Sequence, residues 1–152
     1  GRRAGVTARL AAGRAVQPRL IKAIGGVETA SGAGAPIGVN ENLLRRVRAA
    51  MDAVSNHSRG TGYRSRIVAS ENHMAGKTGT SQVRRITAEE RARGVTRNAD
   101  LPRERRDHAL FVNYAPVENP RFAVAVIVEH GGGGSTAAAP IGRDITLQAL
   151  YG

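Results

Sequence analysis

The chain has no cysteine and no tryptophan, and only two phenylalanines and three tyrosines among its 152 residues. Without cysteine, disulfides and thiolate metal sites are excluded, while the redox compartment stays open. With aromatic residues at 3%, packing must rest on Ala, Val, Ile and Leu, and few rings are available for stacking on bases. No apolar run approaches the ~20 residues needed to span a bilayer, and the N-terminus lacks the pattern of a signal peptide. The four histidines, His57, His73, His108 and His130, are far apart with no ligand spacing, so neither a metal nor a cofactor is expected.

The length allows one domain at most. The abrupt start at Arg2-Arg3 reads as a piece of something longer. Charge is the most unbalanced quantity: 23 Lys and Arg against 12 Asp and Glu, a net of +11. Such a balance points to polyanion partners, whether nucleic acid, an anionic membrane surface or an acidic polymer. The distribution argues against nucleic acid, because the arginines are scattered and many sit beside acids, as in Glu89-Glu90-Arg91 and Arg103-Glu104-Arg105-Arg106-Asp107.

Apolar spacing predicts a short helix over 6–14, with Val6, Leu10 and Ala11 on one side and Gly13 as its stop. Pro18 favours an extended segment through Ile24 that Gly25-Gly26 closes, and residues 28–38 read as a loop. Asn40 is placed to cap a helix over 41–54, in which Leu43, Leu44, Val47, Ala50, Met51 and Val54 recur at helical spacing and Arg45, Arg48 and Asp52 lie opposite. A Gly-, Ser- and His-containing loop over 56–63 follows, with a brief strand at Ile67-Val68-Ala69. Residues 75–84 form the next strand. The charged stretch 85–107 reads as a long loop, functional or mobile, with a short helix over 88–93.

Two strands then follow, 109–115 and 122–129, joined by a turn at Pro116-Val117-Glu118-Asn119-Pro120 short enough to require antiparallel pairing. The second is apolar on both faces, which implies helices covering both sides of the sheet. Gly131 to Gly134 break it, and Ser135 or Thr136 can cap a last helix with Pro140 in its first turn and Ala138, Ile141, Ile145 and Ala149 inward. The fold class is α+β: a three-stranded antiparallel sheet covered by helices.

Chemistry concentrates in Gly76-Lys77-Thr78-Gly79-Thr80-Ser81-Gln82-Val83, which sets one fixed positive charge, three hydroxyls and two glycines on eight consecutive residues. On an extended backbone Lys77 and Gly79 point one way and Thr78 and Thr80 the other, so the hydroxyls can hold a carboxylate while Lys77 supplies positive potential. Gly79 lets another chain approach closely. A polar edge strand with a solvated lysine is the plainer alternative. A phosphate loop fits poorly, because GxxxxGK[ST] needs glycine where Glu71 stands and a helix downstream.

The stretch Asn72-His73-Met74-Ala75-Gly76-Lys77-Thr78-Gly79-Thr80-Ser81-Gln82-Val83 resembles the KTG strand of the active-site serine penicillin-recognising enzymes, and in particular of class B penicillin-binding proteins. Arg106-Asp107-His108-Ala109-Leu110-Phe111, Ala115 to Pro120, and Val124 to Glu129 followed by glycines are similar to the elongation-type branch, as are Thr7 to Ala11 and Pro18-Arg19-Leu20. The resemblance covers nearly the whole chain in the right order. It implies a β-lactamase/transpeptidase-like fold of which residues 1–152 are the C-terminal portion. It also implies a parent that cross-links peptidoglycan stem peptides and binds β-lactams, anchored in the inner membrane with a periplasmic catalytic domain and working with cell-wall elongation proteins.

Under that resemblance Lys77 assists proton transfer, Thr78 and Thr80 hold the carboxylate, Gly79 keeps the strand clear, and the backbone N–H of Thr80 is one oxyanion-hole donor. No S-x-x-K occurs in the chain, so the nucleophilic serine is not here. Ser70-Glu71-Asn72 matches S-x-N but lies next to the KTG strand rather than far upstream, and reads as coincidence. The fragment is accordingly expected to be soluble and inactive alone, to bind no nucleic acid, and to form a homodimer through its uncovered sheet. A basic, non-catalytic module for nucleic acid or an anionic polymer is the alternative.

Overall fold

The computed structural model describes residues 2–19, 21, 23–29 and 34–152. Leu20, Lys22 and residues 30–33, which fall in the expected extended segment and loop, lie outside the described residues. Helix α1 (Arg2–Ala12) starts earlier than its apolar spacing indicated and stops at Gly13, whose φ of +67° ends the helical path. Its inward residues are Thr7 and Ala11, whereas Val6 is 54% exposed. Thr7 turns inward at no cost in unpaired groups, since its Oγ1 donates to the Arg3 carbonyl at 3.0 Å.

Gly25 and Gly26 do more than close a segment. With φ of +57° and +82° they form the two-residue turn of a small hairpin, β1 (Ala23–Ile24) and β2 (Val27–Glu28). Helix α2 (Glu41–Asn56) is capped as expected, Asn40 Oδ1 accepting from the Asn42 N–H at 2.9 Å. Leu44 and Met51 are buried. Arg48, expected on the solvent side, instead donates to the Leu10 carbonyl at 2.9 Å and ties α2 to α1.

No strand forms at Ile67-Val68-Ala69; the chain runs between single turns at Tyr63–Ser65 and Ser70–Asn72. Ile67 is buried there, but among the described residues no neighbouring strand offers a ladder to pair with. The sheet is β3 (Ala75–Ser81), β4 (His108–Ala115) and β5 (Phe122–Val128), antiparallel throughout in the order β3-β4-β5. β3 stops at Ser81 rather than 84, because beyond it the Val83 N–H goes to Asp107 Oδ1 at 3.2 Å. A helix, α3 (Ala88–Arg93), lies where expected in the charged stretch, with Thr87 Oγ1 accepting from the Glu90 N–H at 3.2 Å.

Register pairs Thr78 with Phe111 and Phe111 with Val126, which puts these three on one face of the sheet. That face carries the main core, where Phe111, Ala109 and Val126 meet Ala138 and Ala139. The other face packs Ala75, Tyr114 and Ala123 against Ala11 of α1 and Met51 of α2. Burial of β5 on both sides is only partly realised: Val126 is buried, but Ile127, on the α1 side, is 56% exposed.

After a wide π-type turn at Gly134–Ala138 the last helix, α4 (Ala139–Tyr151), begins without a side-chain cap, with Pro140 in its first turn. Its inner stripe is Ala139, Gly142 and Thr146, while Ile141, Ile145 and Ala149 are exposed. The isoleucine expectation fails for a steric reason. A Cβ on residue 142 would lie 2.6 Å from the Phe111 ring, so α4 lies against β4 only because its contact residues are small or polar.

Candidate functional site

Lys77, Thr78, Gly79 and Thr80 lie on β3, which has one sheet neighbour among the described residues, leaving its other edge open. The alternation holds: Lys77 and Gly79 belong to the α1/α2 face, and Thr78 and Thr80 to the α4 face. Lys77 is exposed and its Nζ donates to the Thr78 carbonyl at 2.7 Å. In a strand the N–H and C=O of one residue leave on the same side, and alternate residues share it. A Thr78 carbonyl reached from outside the ladder therefore goes with an outward Thr80 N–H.

Beside Lys77 a groove of about 750 Å³ opens between α1, α2 and the sheet, lined by Val6, Leu10, Val47, Val54 and Leu110. Val6, Leu10, Val47 and Val54 are helical apolar positions that the core does not use, and Leu110 joins them from β4. Behind the strand, the main chain is approached by main chain. A Cβ on Gly76 would lie 2.6 Å from the Phe111 ring and 2.8 Å from the Val112 carbonyl oxygen. One on Gly134 would lie 2.4 Å from the carbonyl oxygens of both Gly79 and Leu110.

Thr61 escaped the sequence reading. Its Oγ1 is 2.8 Å from Thr78 Oγ1. The available signal was Gly60-Thr61-Gly62, whose first glycine has no room for a side chain: a Cβ there would lie 2.3 Å from the Val54 carbonyl oxygen.

The charged stretch is tied down rather than loose. Arg84 Nη1 and Nη2 each reach a Glu90 carboxylate oxygen at 2.6 Å, and the Thr96 N–H reaches Glu90 at 3.2 Å. The Arg84 hydrogen bonds outweigh desolvation and, with the Thr96 N–H, bring the Glu90 carboxyl down to about 2. The same bonds raise the Arg84 guanidinium. Asn98 and Asp107 bond reciprocally: Asn98 Nδ2 donates to Asp107 Oδ2 at 3.0 Å and the Asp107 N–H to Asn98 Oδ1 at 2.8 Å.

The structure brings His108 and His130 together, with ring centroids 4.8 Å apart and the His130 N–H donating to His108 Nδ1 at 3.0 Å. This is the strand-end contact expected of His108. Ser70-Glu71-Asn72 occupies an exposed turn, and Asn72 Nδ2 donates to Tyr151 Oη at the end of α4. Among the described residues no three His, Cys, Asp or Glu side chains converge on a metal position. No helix among them is long and apolar enough to cross a membrane.

Residues 3–147 match the penicillin binding protein transpeptidase domain. The chain is 41% identical over 92 residues to peptidoglycan D,D-transpeptidase MrdA of Haemophilus influenzae, a match covering 60% of this chain and 13% of that protein. Its fold superposes on Pseudomonas aeruginosa PBP2, solved in complex with WCK 5153, at a TM-score of 0.73 and 34% identity, covering 98% of this chain and 29% of the other. It also superposes on PBP2 of Helicobacter pylori in its complex with MreC, at a TM-score of 0.67 and 28% identity, covering 97% and 24% respectively. The chain thus spans less than a third of each of these relatives.

Proposed function

The chain belongs to the penicillin-binding protein transpeptidase family, and on that premise we propose that it is the C-terminal part of a peptidoglycan D,D-transpeptidase domain of the elongation type, supplying one wall of its cleft. The observation that carries this is the open β3 edge, with Lys77 on one side and the Thr78 hydroxyl on the other. A serine outside this chain attacks the carbonyl of a D-alanyl-D-alanine stem peptide or of a β-lactam. Negative charge then develops on the carbonyl oxygen, and a fixed strand N–H at Thr80 meets it without reorganisation. Lys77 raises the positive potential of the cleft and helps proton transfer, and Thr78 and Thr80 hold the substrate carboxylate. Gly79 leaves room for the peptide to lie along the strand.

The parent is anchored in the inner membrane, with its catalytic domain in the periplasm and cell-wall elongation proteins as partners; the complex of a relative with MreC supports the last point. Standing alone, the 152-residue chain dimerises by covering its groove and sheet edge; a monomeric sedimentation profile at high concentration would count against this.

The test of the reading is Lys77→Ala in the full-length protein. Labelling by a fluorescent penicillin should slow by about 10²-fold, the scale of losing one electrostatic element of such a site. Undiminished labelling would overturn it. The 152-residue chain itself, which has no S-x-x-K, should show no penicilloyl adduct by mass spectrometry.

A further inference from the structure

Thr61 stands at the tip of a turn fastened to the last turn of α2. The Gly60 N–H donates to the His57 carbonyl at 2.7 Å and the Gly62 N–H to the Val54 carbonyl at 2.9 Å. Gly60 sits so close to the helix end that a Cβ would lie 2.4 Å from the Ala53 carbonyl oxygen. The turn is therefore held by its main chain, and the Thr61 side chain is free of that task. Thr61 is exposed, so its hydroxyl is not spent satisfying a buried group, yet it is 2.8 Å from Thr78 Oγ1.

A hydroxyl has one proton to give and two lone pairs to receive with. If Thr78 gives its proton to Thr61, it offers a substrate carboxylate only lone pairs. If Thr61 gives its proton to Thr78, the Thr78 proton is free to point outward. A carboxylate in the cleft favours the second arrangement, and a chain of donors in one direction strengthens each bond in it. Thr78 is also β-branched, so only a few staggered positions of its hydroxyl exist for the bond to choose among.

We infer that Thr61 is a positioning residue, which orients the Thr78 hydroxyl as a donor to the carboxylate of the bound peptide or β-lactam. This rests on the reading of β3 as the substrate wall.

The experiment compares Thr61→Val, Thr61→Ser, Thr78→Val and the Thr61→Val/Thr78→Val double variant in the full-length protein, by rate of acylation with a fluorescent penicillin and by melting temperature. Thr61→Val should slow acylation about 5- to 10-fold, the size of one hydrogen bond, with melting unchanged and Thr61→Ser restoring the rate. The double variant should be no slower than Thr78→Val, since the two act through one bond. With a penicillin methyl ester, which has no carboxylate charge, Thr61→Val should match the wild type. A slow Thr78→Val beside an undiminished Thr61→Val overturns the role of Thr61 and leaves the wall reading standing. An undiminished Thr78→Val overturns the wall reading itself. Full additivity in the double variant, or no rescue by serine, also overturns the positioning role.

Discussion

Asn113 Nδ2 donates to Thr146 Oγ1 at 2.7 Å with both side chains fully buried, and Thr146 Oγ1 donates onward to the Gly142 carbonyl at 2.7 Å. This relay joins the middle of β4 to α4. It lies beside the motif strand, because Asn113 on β4 is paired in register with Gly76.

Thr146→Val keeps the shape and removes the acceptor. It leaves the Asn113 amide unpaired in the core, where Asn113 Oδ1 already has no partner among the described residues. Such a loss costs about 1–3 kcal/mol. Urea denaturation should show a lower midpoint at unchanged slope, and a loss within error of zero would mean that the relay contributes nothing.

The two motif glycines should differ sharply in tolerance. Gly76→Ala drives a methyl to 2.6 Å from the Phe111 ring and 2.8 Å from a backbone oxygen, and overpacking of this kind costs about 1–3 kcal/mol. Gly79→Ala meets only the Leu110 side chain, at 3.3 Å, so stability should be nearly unchanged. Thermal melts of the two variants check this, and equal melting temperatures would refute it.

Acid should act on the charged stretch in a defined window. The ordinary value of the Glu90 carboxyl is 4.5 and its folded value is about 2. Because the folded value is depressed, the stabilisation from the Arg84 pair is complete above about pH 4.5 and disappears as pH falls towards 2. An NMR titration should find the Glu90 carboxyl ionising near 2, with the Thr96 amide shift following it. Glu90→Gln should abolish that Thr96 transition, and ionisation near 4.5 in the wild type would dispose of the pair as a persistent contact.

The sheet and the motif were legible because their signals are local. The β4–β5 hairpin follows from two apolar runs and a five-residue turn, and the α2 cap from Asn40 at the head of an apolar period. Interactions between distant residues left weaker traces. Ile141 and Ile145 look like a core stripe by spacing alone; what displaces them is the need of Asn113 for a partner and the lack of room under Phe111. Val6 and Val47 belong to the right helical faces, yet line the groove instead of the core. Arg84 and Glu90 are six residues apart across a helix start, a spacing that no periodic rule singles out. Thr61 is 17 positions from Thr78, and only the folding of the α2–β3 connection brings their hydroxyls together.

Gly134 seats one stretch of main chain directly on another, at the carbonyls of Gly79 and Leu110. It acts as a mechanical stop, and one made of peptide units cannot be worn down by repacking. Neighbouring surfaces can exchange their side chains over many generations without moving the strand. The same stop makes its position brittle at a single point, because one added methyl at residue 134 pushes on Gly79 before it touches anything softer.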